Sequence, residues 1–197
     1  MPLESRVKDF FIESARLKAQ FIEEQAPLVV QAAQLLAASL RQGAKILIFG
    51  NGGSAADAQH LAAEFVNRFR IARPPLAALA LTTDSSILTS IGNDYDFNEI
   101  FVKQIKALGQ PGDVAWGIST SGTSANVVAA LEIARQQGLK TIAVTGRDGG
   151  TMAAAADVAL IVRSQDTPRI QEVHLTIGHV LCELVDYLLF PDQYSAG

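Results

Sequence analysis

An apolar, branched run, Ala44-Lys45-Ile46-Leu47-Ile48-Phe49, leads directly into Gly50-Asn51-Gly52-Gly53-Ser54 and then into a segment of helical character. The run reads as a buried strand of a parallel sheet, because such strands are covered on both faces and lack polar alternation. A glycine turn between strand and helix makes this the opening of a βαβ unit. The turn also leaves backbone N–H groups and the positive end of a helix dipole facing outward, which suits an anion. In the helix that follows, His60 and Glu64 are four residues apart and share a face, with Arg68 one turn further on.

Further strands are expected at 76–81, 113–118, 141–145 and 158–162, with helical segments separating most of them. That alternation predicts an α/β fold, a doubly wound, five-stranded parallel sheet with helices on both faces. Residues 3–42 carry apolar positions at helical spacing, and Pro27 predicts a break into two helices, the second ended by Gly43. A last helix is expected from Arg169 to about Phe190, after Pro168. With 197 residues, 49% of them hydrophobic, the chain is long enough for a full core. No linker or low-complexity stretch interrupts it, so residues 1–197 read as one domain with an N-terminal helical extension.

Charge narrows the partners. A net charge of −4 and a pI near 5.3 leave no basic footprint for direct nucleic-acid binding. No apolar run is long enough to span a bilayer and the first residues lack a secretory core, so no membrane association and a cytoplasmic location are expected. Cys182 lies in an apolar helical stretch and reads as a buried, reduced thiol.

Gly50-x-Gly52-x-x-Ala55 fits a loose dinucleotide fingerprint, but the acid that should follow roughly 20 residues on is missing from Arg-Phe-Arg-Ile-Ala-Arg-Pro-Pro at 68–75. A P-loop is excluded because no Lys-Ser or Lys-Thr follows the glycines. Two readings stay open on the turn alone: a site for a small phosphorylated molecule, or a tight turn with no ligand. A second loop, Ser119-Thr120-Ser121-Gly122-Thr123-Ser124, sets five hydroxyls and a glycine before a helix at 125–137. Such a run supplies uncharged phosphate donors, although one or two of the hydroxyls would serve as ordinary N-caps.

Several motifs resemble the sugar isomerase (SIS) domain family and, within it, the bacterial phosphoheptose isomerases. They are Asn51-Gly52-Gly53-Ser54, Ala58-Gln59-His60 with Glu64, Asn67-Arg68-Phe69, Leu81-Thr82-Thr83-Asp84, Asn93-Asp94-Tyr95, the serine loop, Thr145-Gly146-Arg147-Asp148-Gly149-Gly150, and Arg169-Ile170-Gln171-Glu172-Val173-His174 with His179. The resemblance implies a flavodoxin-like SIS fold, a homotetramer, and isomerisation of the sugar phosphate sedoheptulose 7-phosphate to D-glycero-D-manno-heptose 7-phosphate, a precursor of surface glycan such as lipopolysaccharide core. It assigns substrate contacts to Asn51, Gly52, Gly53, Ser54, Asn93, Asp94, Ser119, Thr120, Ser121, Ser124 and Gln171, and acid–base roles to Glu64 and His179. It further implies one zinc ion per subunit on His60, Glu64, Gln171 and His179. The chain departs from the pattern at Thr123, where asparagine is common, and at Trp116-Gly117, where aliphatic residues are expected. A related branch implies an alternative, a tetrameric binding protein that associates with the bacterial replication initiator. That branch lacks the carboxylate found here at Glu64.

The residue chemistry agrees with isomerisation. Moving a carbonyl between adjacent carbons takes one carboxylate base and one group titrating near neutrality, roles that Glu64 and His179 fit. Zinc accepts imidazole nitrogen and carboxylate oxygen, and as a Lewis acid it steadies negative charge on an enediol-like oxygen. A carboxylate that binds metal is a weaker base, so Glu64 is expected to loosen from metal when it acts. Gln171 and His179 stand eight residues apart, about 12 Å of helical rise, and sharing one ion requires converging side chains or a second subunit. His174 lies off that face and reads as a packing or oligomer-contact residue.

Overall fold

In the computed structural model, which describes residues 2–194, five parallel strands, β1 (Ile46–Gly50), β2 (Ala78–Ala80), β3 (Val114–Ser119), β4 (Lys140–Gly146) and β5 (Val158–Val162), form one sheet in the order β2-β1-β3-β4-β5. The helices are α1 (Leu3–Arg41), α2 (Gly53–Val66), α3 (Ser85–Asp94), α4 (Ile100–Leu108), α5 (Ala125–Gln136), α6 (Gly150–Ala154), α7 (Thr167–Leu189) and α8 (Pro191–Tyr194), with a 3₁₀ turn at Phe97–Glu99. This is the doubly wound, flavodoxin-like architecture the sequence predicts, with the N-terminal helix added.

Strand alternation divides the core. Ile46, Ile48, Val114, Trp116, Ile118, Ile142 and Val144 pack with α1, α2 and α7, while Leu47, Phe49, Ala115 and Ala143 pack with α4, α5 and α6. Trp116-Gly117 fits this division. The indole is fully buried on the first face, and on the second a Cβ at Gly117 would lie 2.9 Å from Val127 and 3.0 Å from Met152, so the missing side chain lets α5 and α6 sit close.

The expected break at Pro27 does not occur, because α1 is one helix of 39 residues. Proline in a helix interior costs about 3 kcal/mol. On either side of it Leu17, Phe21, Val29 and Leu36 are buried, each worth about 1.5–3 kcal/mol, so packing prevails. Gln25 adds an anchor by accepting from the Ile161 N–H on edge strand β5 at 3.5 Å. A second correction concerns Arg68: α2 stops at Val66, so Arg68 lies beyond the helix and does not continue the His60–Glu64 face. No helix of the described residues is long and apolar enough to cross a membrane.

Candidate active site

Where β1 and β3 lie side by side, the chain leaves the sheet toward opposite faces, and in open α/β sheets such a switch point is where ligands bind. The glycine turn follows β1 and the serine loop follows β3. They meet closely: a Cβ at Gly50 would lie 2.6 Å from the Ile118 carbonyl oxygen. Asn51 and Asn126 then join the loops by a reciprocal amide pair at 2.8 and 2.9 Å. Asn126 was not singled out in the sequence, although its place just after the serine loop was the available signal.

Gly52 adopts φ +56° at the head of α2, a conformation that disfavours side chains. No side chain caps α2 there, nor α5 at Ser124, whereas Asp84 caps α3 by accepting from the Ile87 N–H at 2.9 Å. Instead, the Ser124 hydroxyl pairs with that of Ser119 at 2.8 Å, and Ser121 lies 3.3 Å from Ser119 and takes the Thr123 N–H at 3.2 Å. Two helix N-termini and a hydroxyl cluster therefore converge, an arrangement suited to phosphate. The Thr145–Gly150 motif backs the serine loop. The Met152 N–H donates to the Gly122 carbonyl at 3.0 Å, and the Thr120 carbonyl lies against Gly146 too closely for any side chain there.

Further along α2, His60 and Glu64 turn toward α7. The Nε2 atoms of His60 and His179 are 2.8 Å apart, Glu64 Oε1 is 3.6 Å from His60 Nε2, and the Phe69 ring stacks on His179 at 5.4 Å. Gly178 makes this approach feasible, since a Cβ there would lie 2.5 Å from Leu61. Gln171 sits nearer the head of the same helix pair, with its amide over Gly53 and donating to Asp57 Oδ2 at 3.4 Å. Asp57 is buried, and desolvation raises its pKa despite the Gln171 bond and the charge of His60. Its signal was its spacing, because Asp57, His60 and Glu64 stand at i, i+3 and i+7. Asn93 and Asp94 are exposed at the end of α3 and bond to each other at 2.8 Å; among the described residues no side-chain hydrogen bond joins them to the loops. His174 is a core residue, 2% exposed, and Cys182 is a buried free thiol whose pKa burial raises.

His60 meets both His179 and Glu64, which are donors of the kind zinc accepts, yet among the described residues no group of three or more His, Cys, Asp or Glu side chains is arranged to hold a metal ion. Gln171, about two helical turns nearer the head of α2, is not part of that contact group.

Comparison with known proteins identifies the family. The SIS domain family model matches residues 9–146. The chain is 59% identical to the phosphoheptose isomerase of Nitratidesulfovibrio vulgaris strain Miyazaki F, covering 90% of this chain and 86% of that protein. It is 55% identical to that of Thermodesulfovibrio yellowstonii over 190 residues, 96% of this chain and 94% of the relative. The solved structure of the Neisseria gonorrhoeae enzyme superposes with a TM-score of 0.89 at 49% identity, covering 94% of this chain and 99% of that one. The chain belongs to the phosphoheptose isomerases, a family of SIS-domain aldose–ketose isomerases.

Proposed function

We propose that this protein converts sedoheptulose 7-phosphate to D-glycero-D-manno-heptose 7-phosphate, with Glu64 as the base at carbon and His179 carrying the proton between the two oxygens. One observation carries this reading: His60 and Glu64 lie along the helix whose uncapped N-terminus meets the serine loop, and α7 brings His179 against them. From Gly53 to His60 the helix rises about 10 Å, a span that suits a sugar held by its terminal phosphate with its carbonyl end at the histidines. Ser119, Thr120, Ser121, Ser124 and the head of α5 hold the phosphate, while Asn51, Gly52, Gly53 and Ser54 line the turn beside it. Gln171, steadied by Asp57, serves the hydroxyls between. Zinc on His60, Glu64 and His179, when bound, supplies Lewis-acid stabilisation of the enediol oxygen.

Glu64 abstracts the proton from C1, electrons shift to form the enediol, and the proton returns at C2; His179 takes the proton from the O1 hydroxyl and delivers one to the former carbonyl oxygen at C2. The replication-initiator scaffold is not favoured, since the relatives from Thermodesulfovibrio yellowstonii and Nitratidesulfovibrio vulgaris are phosphoheptose isomerases. We further propose a homotetramer in the cytoplasm. Leu3, Val7, Phe10, Phe11 and Ile12 on α1 are exposed, and an apolar groove lined by Phe21, Ile22, Val29, Val173 and Ile177 runs between α1 and α7. Apolar surface of this kind supports association.

The test is incubation of purified protein with sedoheptulose 7-phosphate in deuterated water. Expected are the aldose product and deuterium at C2. Absence of both, with and without added zinc, would overturn the assignment.

A further inference from the structure

After α2 ends, residues 67–75 fold back along one face of α7. Phe69 stacks on His179, Arg70 Nη1 donates to Glu183 Oε1 at 2.8 Å, and Arg73 Nε donates to Asp186 Oδ1 at 2.7 Å. Positions 179, 183 and 186 follow i, i+4, i+7 spacing, so one strap runs along one helical face. Its inner end is wholly buried, with the Arg73 side chain 0% and that of Asp186 1% exposed. The rest of the guanidinium faces the end of α2: Nη2 donates to the Glu64 carbonyl at 2.9 Å and Nη1 to the Phe65 carbonyl at 2.7 Å. Terminal helix carbonyls lack partners within the helix, and a cation at that end is favoured by the dipole. One planar group thus grips the backbone of Glu64 with one edge and the helix of His179 with the other.

Stability alone is a poor reason for this pair. Buried ion pairs are often replaceable by apolar residues without loss, and here Asp186 Oδ2 receives no hydrogen bond among the described residues. What the pair does supply is geometry, because the offset between α2 and α7 decides whether His60 and Glu64 meet His179. We propose that Arg73, fastened by Asp186, is a positioning residue that sets this offset. The proposal rests on the isomerase reading for its kinetic consequence, though not for its structural one.

The test uses Arg73→Lys and Asp186→Asn in the full-length protein, with side-chain histidine resonances read by NMR beside steady-state kinetics on sedoheptulose 7-phosphate. The chain has three histidines, so the signals are few. Displacements near 1 Å cost up to about 100-fold in rate. Expected is a fall in kcat of at least about tenfold with KM within about threefold, since the phosphate loops are untouched, together with shifted His60 and His179 resonances. A purely structural pair would lower the melting temperature and leave the kcat of the folded protein and both resonances unchanged, which overturns the proposal. Failure of both variants to fold overturns it equally, because it assigns the pair to stability. Wild-type protein without turnover would sink the isomerase reading alone, and the resonance shifts would still decide the role of Arg73.

Discussion

His174 offers a sharp quantitative test because it is a buried imidazole with nothing to sustain a charge. Among the described residues no hydrogen bond of good geometry reaches either ring nitrogen. Burial pushes its pKa from 6.5 down to about 4, and the nearby Thr145 backbone offsets only part of this. A histidine held neutral stabilises the fold fully above pH 6.5, and that contribution is lost as pH falls toward 4, since the unfolded chain takes up the proton first. Proton linkage between those two values gives a loss of about 2 kcal/mol at pH 5 and about 3 kcal/mol at pH 4. His174→Leu removes the titration and the two unpartnered nitrogens at similar volume. Urea unfolding of both proteins at equal concentration, at pH 7.5, 5 and 4, checks it. The variant's advantage should widen by about these amounts as pH falls. A difference in stability that stays constant over that range refutes the reasoning, because it would mean that His174 is not buried neutral.

Glu64→Gln, which removes the base at nearly constant volume, should cut turnover by about 10²–10⁴-fold while leaving sugar-phosphate binding measurable by calorimetry; His179→Gln should do the same. Replacing Ser121 and Ser124 by alanine should raise KM for the 7-phosphate far more than for the unphosphorylated ketose, and equal effects on both would count against the loop. Metal analysis of protein purified without chelator should find zinc at about one per chain, lowered by His60→Ala, as expected for a site built on imidazole nitrogen. Light scattering should give the mass of four chains, and a fully active monomer would remove the tetramer. Mixing Glu64→Gln with His179→Gln subunits should leave activity unrestored, because the two side chains flank His60 within one chain.

Much of the architecture was legible because its signals are local. A buried parallel strand announces itself by a branched apolar run, and the turns at Gly50–Gly53 and Ser119–Ser124 by residue types with few other uses in such density. The His60–Glu64 pair was readable for the same reason, since helical spacing alone puts both on one face. Pro27 was misread because propensity is local while the burial that overrides it comes from α7 and β5. Asp57, Asn126 and Arg73 passed unassigned because their partners lie 114, 75 and 113 residues away. By itself, then, the sequence determined the five strands, the chemistry of the two loops and the face that carries His60 and Glu64, all set by neighbours within a few positions. Only the tertiary structure decided that β1 and β3 are adjacent, that α7 brings His179 to His60 while Gln171 reaches Asp57, and that Arg73 ties the two helices. Those outcomes depend on strand order and helix packing, which are settled by the burial of the whole chain.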